Sequence, residues 1–261
     1  MRWGLSGAAR AIRNLGAFGF LAGTLLALTS VPAFANNLVV NGGFETTTNG
    51  PNLQFDRLTQ ATGWTSTPTL TAYNFIYSPG AADTTGATGE FGNVKLWGPG
   101  TGSPNGLPAT SPTGGNFVAA DSAFQVGGIS QTINGLTPGN SYTVSFWWAA
   151  AQQSGFNGAT QDQWSVTLGS QTQTTSFVTI PTHGFSGWMH QSFTYTATSS
   201  SEALTFLASG SPTGVPPFAL LDGVSLNSPS TTPEPGTLTL MATGLVGVVG
   251  FVRRYQIKKR S

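Results

Sequence analysis

From Ser141 to Ala150 the chain reads Ser-Tyr-Thr-Val-Ser-Phe-Trp-Trp-Ala-Ala, with Tyr142, Val144, Phe146 and Trp148 on one parity and Thr143, Ser145, Trp147 and Ala149 on the other. A period of two sends successive side chains to opposite faces of a strand, so this run predicts a β-strand with one face in a core. Shorter runs of similar character occupy Leu38–Val40, Thr69–Tyr77, Val94–Trp97, Asn116–Ala120, Gly128–Ile133, Gln163–Leu168, Thr174–Ile180, Met189–Thr198, Ala203–Ala208 and Ala219–Leu226. Turn clusters such as Asn134-Gly135-Leu136-Thr137-Pro138-Gly139-Asn140 separate them, as glycine and proline punctuation does between strands. No amphipathic 3.6-residue period interrupts this stretch. Many short strands with such punctuation predict an all-β sandwich or barrel. Gly98 to Gly115, rich in Gly, Pro, Ser and Thr, is long for a structureless connection and is expected to be a functional or mobile loop.

The two ends have a different composition. Arg2, Arg10 and Arg13 precede an apolar stretch from Leu15 to Leu28, and Ala33-Phe34-Ala35 forms a small-x-small site. That order predicts a signal peptide over 1–35, with the mature chain starting near Asn36. At the other end Pro233-Glu234-Pro235 leads into the apolar run Thr237 to Val252, and Arg253, Arg254, Lys258, Lys259 and Arg260 follow. As a helix the run is about 24 Å long, short for a bilayer core of about 30 Å but workable with flanking residues. The basic tail predicts a cytoplasmic terminus and an exported domain. Proline motif, apolar span and basic tail in this order resemble the PEP-CTERM sorting tag. The resemblance implies recognition of Pro233, Glu234 and Pro235 by an exosortase-type membrane protease-transpeptidase. The expected organisation is a signal helix at 1–35, a β-sandwich domain at 36–227, a linker at 228–232, and a sorting tag at 233–261 with a transmembrane helix over 237–252.

Without the two ends the charge changes sign. Only Arg57 and Lys95 remain between Asn36 and Thr232, against eight acids, or about −6. Nucleic-acid binding requires clustered cations to displace counterions from phosphates, so that class is excluded. The chain has no cysteine, so neither disulfides nor thiolate metal sites can stabilise it. Roughly 190 residues suffice for one hydrophobic core.

Several motifs then fall in order: Asn37-Leu38-Val39-Val40-Asn41-Gly42-Gly43-Phe44-Glu45, Gly63-Trp64, Gly128-Ile129-Ser130-Gln131-Thr132-Ile133, Leu136 to Phe146, and Ala219-Leu220-Leu221-Asp222-Gly223-Val224-Ser225-Leu226. This series resembles the galactose-binding-domain-like jelly roll of many carbohydrate-binding modules and bacterial surface proteins. The resemblance implies a structural calcium between the first and last strands, with Glu45 and Asp222 as carboxylate ligands and Asp121 as a third candidate. Calcium takes six to eight oxygen ligands, which suits such a set; the alternative is that these carboxylates accept backbone amides at strand ends. Aromatic faces stack on sugar rings. Trp147, opposite the core parity, and Trp97 are the candidate ligand-binding tryptophans, whereas Trp148 is expected in the core.

Catalytic signals are sparse. His183 and His190 are the only histidines and are poorly spaced for a metal. No Gly-x-Ser-x-Gly elbow occurs, and no pair of acids is marked out as a glycosidase needs. The expectation is a non-enzymatic, envelope-anchored surface or matrix protein. The alternatives are a module recognising an extracellular polysaccharide and, behind it, a glycan hydrolase.

Overall fold

The structure, a computed structural model, describes residues 37–228 and Gly244. The expected signal segment 1–35, most of the linker, and the sorting tag with its span 237–252, apart from Gly244, lie outside the described residues. No helix among the described residues is long and apolar enough to cross a membrane.

Fourteen strands follow in chain order: β1 (Leu53–Gln54), β2 (Thr65–Thr67), β3 (Asn74–Tyr77), β4 (Ala87–Gly89), β5 (Gly92–Val94), β6 (Phe117–Asp121) and β7 (Gly128–Asn134). Then come β8 (Ser141–Gln152), β9 (Thr160–Leu168), β10 (Gln171–Thr174), β11 (Val178–Ile180), β12 (Met189–Thr196), β13 (Ser201–Ser211) and β14 (Pro217–Asn227). One sheet has the order β12-β8-β14-β6-β3-β1-β4-β5; the other runs β10-β9-β13-β7-β2, with β11 added on β9. Apart from the parallel β1–β4 pair, the ladders are antiparallel.

The two sheets enclose one core. Val144, Phe146 and Trp148 of β8 meet Val118 and Ala120 of β6, Ala219 and Leu221 of β14, and from the facing sheet Ile129, Ile133, Trp164, Val166, Leu168, Leu204 and Phe206. The parity read from the sequence therefore holds, with Trp148 in the core and Trp147 half-buried on the opposite face. Each Phe, Leu or Ile so enclosed contributes about 1.5–3 kcal/mol.

The larger sheet is also apolar on its outer side, where Phe75, Tyr77, Phe117, Ala119, Ala149, Ala151, Phe218 and Leu220 form a second cluster with Ala81, Ala82, Val94, Leu96 and Leu107. The latter five come from the segment between β3 and β6, which folds over the sheet. The Gly98–Gly115 stretch is thus pinned to this cover at a few buried points, with much of its length exposed. It starts with a 3-10 turn, Pro99–Thr101; Asn105 Nδ2 donates to the carbonyls of Trp97 (2.8 Å) and His183 (2.9 Å), and Leu107 is buried.

The sheet edges are closed by side chains. On the free side of β12, Gln171 Nε2 donates to the Thr196 carbonyl (2.5 Å) and Gln173 Nε2 to the Thr194 carbonyl (2.7 Å). Two glutamines of β10 thus occupy backbone acceptors that an incoming strand would otherwise pair with. The expected strand Leu38–Val40 is instead a segment lying along β14, bonded through Leu38 N to Leu226 O at 2.9 Å. The short strands β1, β2, β4 and β5 carry too few residues for a readable alternation.

Candidate functional site

Two places gather functional groups. The first is the seam between the leading segment and β14. The Val224 amide donates to the Gly42 carbonyl at 2.9 Å, and Leu226 N donates to Asn37 Oδ1 at 2.9 Å. A Cβ on Gly42 would lie 1.9 Å from Val224 O, so only glycine allows this approach. Glu45 Oε1 accepts the Asn116 amide at 2.9 Å, and Asn116 Nδ2 donates to the Phe44 carbonyl at 3.0 Å. Asp222 is fully buried; its Oδ2 accepts the hydroxyls of Ser111 and Thr113, and its Oδ1 has no hydrogen-bond partner. Asp222 Oδ1 and Glu45 Oε1 are each 3.6 Å from the point a Cβ on Gly43 would occupy, so the two carboxylates flank one small volume. Burial pushes the Asp222 carboxyl up to about 6, against the lowering effect of its hydroxyl and amide donors, and the charge of Glu45 raises it further.

The seam therefore holds two neighbouring carboxylates with no cation between them; among the described residues the single ion pair is Arg57–Glu90 at 3.5 Å. An orphaned buried carboxylate oxygen beside a second carboxylate is a donor set that suits a hard cation. The described residues include no group of three or more His, Cys, Asp or Glu able to hold a metal, so the remaining ligands would be carbonyl, hydroxyl or water oxygens. The expected third carboxylate, Asp121, is not brought here. It ends β6 and stands across from Phe218, four residues before Asp222 and about 13 Å along the strand.

Asp121 lies instead at the second place, a cleft of about 470 Å³ lined by Tyr73, Phe91, Phe124, Phe156, Gln153 and Pro216 among others. Tyr73 lies 5.5 Å from Phe124 and 5.9 Å from Phe91, and Phe91 lies 5.7 Å from Phe124. Three phenylalanines of the cleft are exposed: Phe91 at 61%, Phe124 at 44% and Phe156 at 37%. Asp121 Oδ1 accepts the amides of Ala123 and Phe124 at 2.9 Å each, while Oδ2 is enclosed without a partner. Burial pushes this carboxyl up to about 6, with the two amides opposing.

Of the two candidate tryptophans, Trp97 stands beside this cleft. Its Nε1 donates to the Phe156 carbonyl at 2.9 Å, and its ring stacks on His183 at 3.8 Å. His183 has φ +60 and bonds to Asn157 Oδ1 through Nε2 at 2.7 Å. Trp147 is near the seam: its Cδ1 lies 3.2 Å from the position a Cβ on Gly223 would take, and its ring makes an edge contact with His190 at 5.1 Å. Residue-by-residue reading passed over Phe91, Phe124 and Phe156. The available signal was a phenylalanine set in turn-forming neighbours, as in Glu90-Phe91-Gly92 and Gly155-Phe156-Asn157-Gly158.

Residues 90–225 match the family described as Protein of unknown function (DUF642), and residues 231–254 match the PEP-CTERM protein-sorting motif. No curated protein matches the chain. Among solved structures, similarity extends to TmCBM61 in complex with beta-1,4-galactotriose, at 13% identity over 74% of this chain and 99% of that one, with a TM-score of 0.41. The CBM22-1 xylan-binding domain from Paenibacillus barcinonensis Xyn10C is similar at 12% identity, 76% and 97% coverage and a TM-score of 0.37. A CBM4 structure is similar at 15% identity, 73% and 99% coverage and a TM-score of 0.32. At this level of identity and overlap these likenesses leave function unassigned.

Proposed function

For a chain that belongs to the DUF642 family, matched over more than half its length, and that carries a PEP-CTERM sorting motif, we propose an exported, non-enzymatic, envelope-anchored surface protein whose domain binds an extracellular polysaccharide. The observation that carries the binding reading is the cleft, where three exposed phenylalanines and Tyr73 meet beside Gln153 and Asp121. Aromatic faces stack on the C–H faces of pyranose rings while a few polar groups set orientation. Such a cleft presents one carboxylate, Asp121, where glycoside hydrolysis uses two across the scissile bond, which supports binding without turnover.

In this reading the sandwich at 36–227 is a galactose-binding-domain-like jelly roll. Residues 1–35 are removed on export, 228–232 form a linker, and the 237–252 span holds the chain in the membrane until an exosortase acts at Pro233-Glu234-Pro235. Calcium is held at the seam by Glu45 and Asp222, where it neutralises two adjacent carboxylates and ties the leading segment to β14. It has no part in ligand contact, because the cleft is at the other end of β6. The partners are thus the sorting enzyme, the membrane and a polysaccharide.

The test is a polysaccharide-retention assay with the full chain purified in detergent, comparing the parent with Phe124→Ala and Trp147→Ala. Retention on at least one polysaccharide, lost with Phe124→Ala and kept with Trp147→Ala, is expected. Retention lost only with Trp147→Ala would move binding to the outer sheet face, and sugar release by the parent would make it a hydrolase.

A further inference from the structure

We propose that the cleft selects a cationic sugar, an amine-bearing (deacetylated) hexosamine unit of a polysaccharide; this rests on the polysaccharide reading above and names the ligand within it.

The first observation is the uncompensated charge beneath the rings. Asp121 is 1% exposed. One of its oxygens is committed to two amides and the other has no partner in the protein. A buried carboxylate oxygen without a donor or counter-charge is costly, and a charged donor from a ligand removes that cost.

The second is the absence of a cation in the lining. Neither basic residue of the described domain lines the cleft. Arg57 is engaged elsewhere: its Nη1 donates to the Leu70 carbonyl at 2.8 Å and its Nη2 pairs with Glu90. Burial pushes the Tyr73 hydroxyl up to about 12, with the charges of Asp121 and then Glu90 adding to it. The uncompensated negative charge at the cleft is therefore that of Asp121, because Glu90 is paired with Arg57. The domain as a whole adds to it, at about −6.

The third is the walls. Ring faces carry negative potential, so a cation over them is attracted. Phe124 packs edge-on against Tyr73 and Phe91, which are tilted to one another, so the three form one wall, and Phe156 and Pro216 line the cleft with them. An ammonium group on a pyranose satisfies both features at once: the apolar ring face lies on phenylalanine and the charge lies towards Asp121. An acidic sugar would meet repulsion, and an acetylated hexosamine would bring a neutral amide donor without the positive charge that compensates Asp121. The volume of about 470 Å³ is within the roughly 300–1,000 Å³ typical of ligand sites.

The experiment is a calorimetric titration of the full chain in detergent with two oligosaccharides of equal length, oligo-glucosamine and its N-acetylated counterpart, at a pH where the free amines are charged. The deacetylated oligomer is expected to bind about tenfold or more tightly, a ratio equivalent to about 1.4 kcal/mol. That ratio should shrink in high salt and fall towards one in Asp121→Asn, with the acetylated oligomer bound by that variant as by the parent. Phe156→Ala, at an exposed ring that leaves the fold intact, should weaken both. Equal or tighter binding of the acetylated oligomer by the parent, or a preference that survives Asp121→Asn, overturns the charge assignment while polysaccharide binding stands. If neither oligomer binds, this inference falls; if neutral and acidic polysaccharides also fail, so does the reading beneath it. Should Asp121→Asn not fold, a salt-independent preference in the parent overturns the inference by itself.

Discussion

Asp162 is, like Asp222, a fully buried carboxyl. Its Oδ1 accepts the Ser122 hydroxyl at 2.5 Å, and its Oδ2 has no partner. Burial pushes its pKa well above the ordinary aspartate value, the Ser122 hydroxyl works against this, and the charge of Asp121 adds to it. The folded state then holds this proton to higher pH than the unfolded chain, whose aspartates titrate near about 4. Stability from this group is complete below that value and is lost as the pH rises towards the folded pKa. We expect the parent's melting temperature to drop as the pH rises above about 4, and Asp162→Asn to show a smaller drop. Identical slopes in thermal melts of the two proteins would remove Asp162 from the account. At the seam, calcium should raise the melting temperature and a chelator should lower it; a ligand at a hundred times its dissociation constant stabilises by about 2.7 kcal/mol. Glu45→Gln and Asp222→Asn should each remove the chelator response. A parent that melts identically in both conditions leaves the carboxylates as ordinary acceptors of amide and hydroxyl protons.

At the scale of elements, the pairing of β12 with side chains of β10 replaces a further strand. Gln171 and Gln173 bond the carbonyls of Thr196 and Thr194, so the double variant Gln171→Ala, Gln173→Ala bares the C-terminal end of the β12 edge. Each lost hydrogen bond costs about 0.5–1.5 kcal/mol, and the bared edge becomes a template for another chain. We expect a modest loss in melting temperature with a clear rise in light scattering on incubation. A variant that melts lower but stays monodisperse would confine the glutamines to a stabilising role. The leading segment is held differently, by close backbone approach. Gly115 has φ +68, and a Cβ there would lie 1.6 Å from Glu45 Oε1. Gly115→Ala is therefore expected to strain the backbone and displace Glu45, lowering stability by about 1–3 kcal/mol and calcium affinity with it. Chemical denaturation with and without calcium reads both; an unchanged midpoint would show that the seam relaxes around the methyl group.

For the whole molecule, the PEP-CTERM motif matched at residues 231–254 is where the proposed sorting is tested. Replacing Pro233-Glu234-Pro235 by three alanines should leave export intact and block processing, so that a longer membrane-held form accumulates. Immunoblot mass of cell fractions decides it, and identical processing of variant and parent would exclude an exosortase. In the proposed function sorting and polysaccharide binding rest on separate residues, so this variant, assayed in detergent, should bind polysaccharide as the parent does.

The all-β class, the two faces of β8, the burial of Trp148 and the sorting motif were legible in the sequence, because period two and ordered terminal motifs are local signals carried by adjacent residues. The pairing of Glu45 with Asp222 was legible only through resemblance: 177 positions separate them, and the backbone contact at Gly42 and Val224 brings them together. Other features were decided by tertiary structure alone. The double-sided burial of β6 and β14 depends on the 78–115 segment folding over the sheet, which its glycine- and proline-rich composition did not announce. Asp121 was separated from the seam because it occupies the far end of β6. The cleft joins Tyr73, Phe91, Phe124 and Phe156 from four separate connections or strand ends, and no periodicity within one segment encodes a meeting between segments.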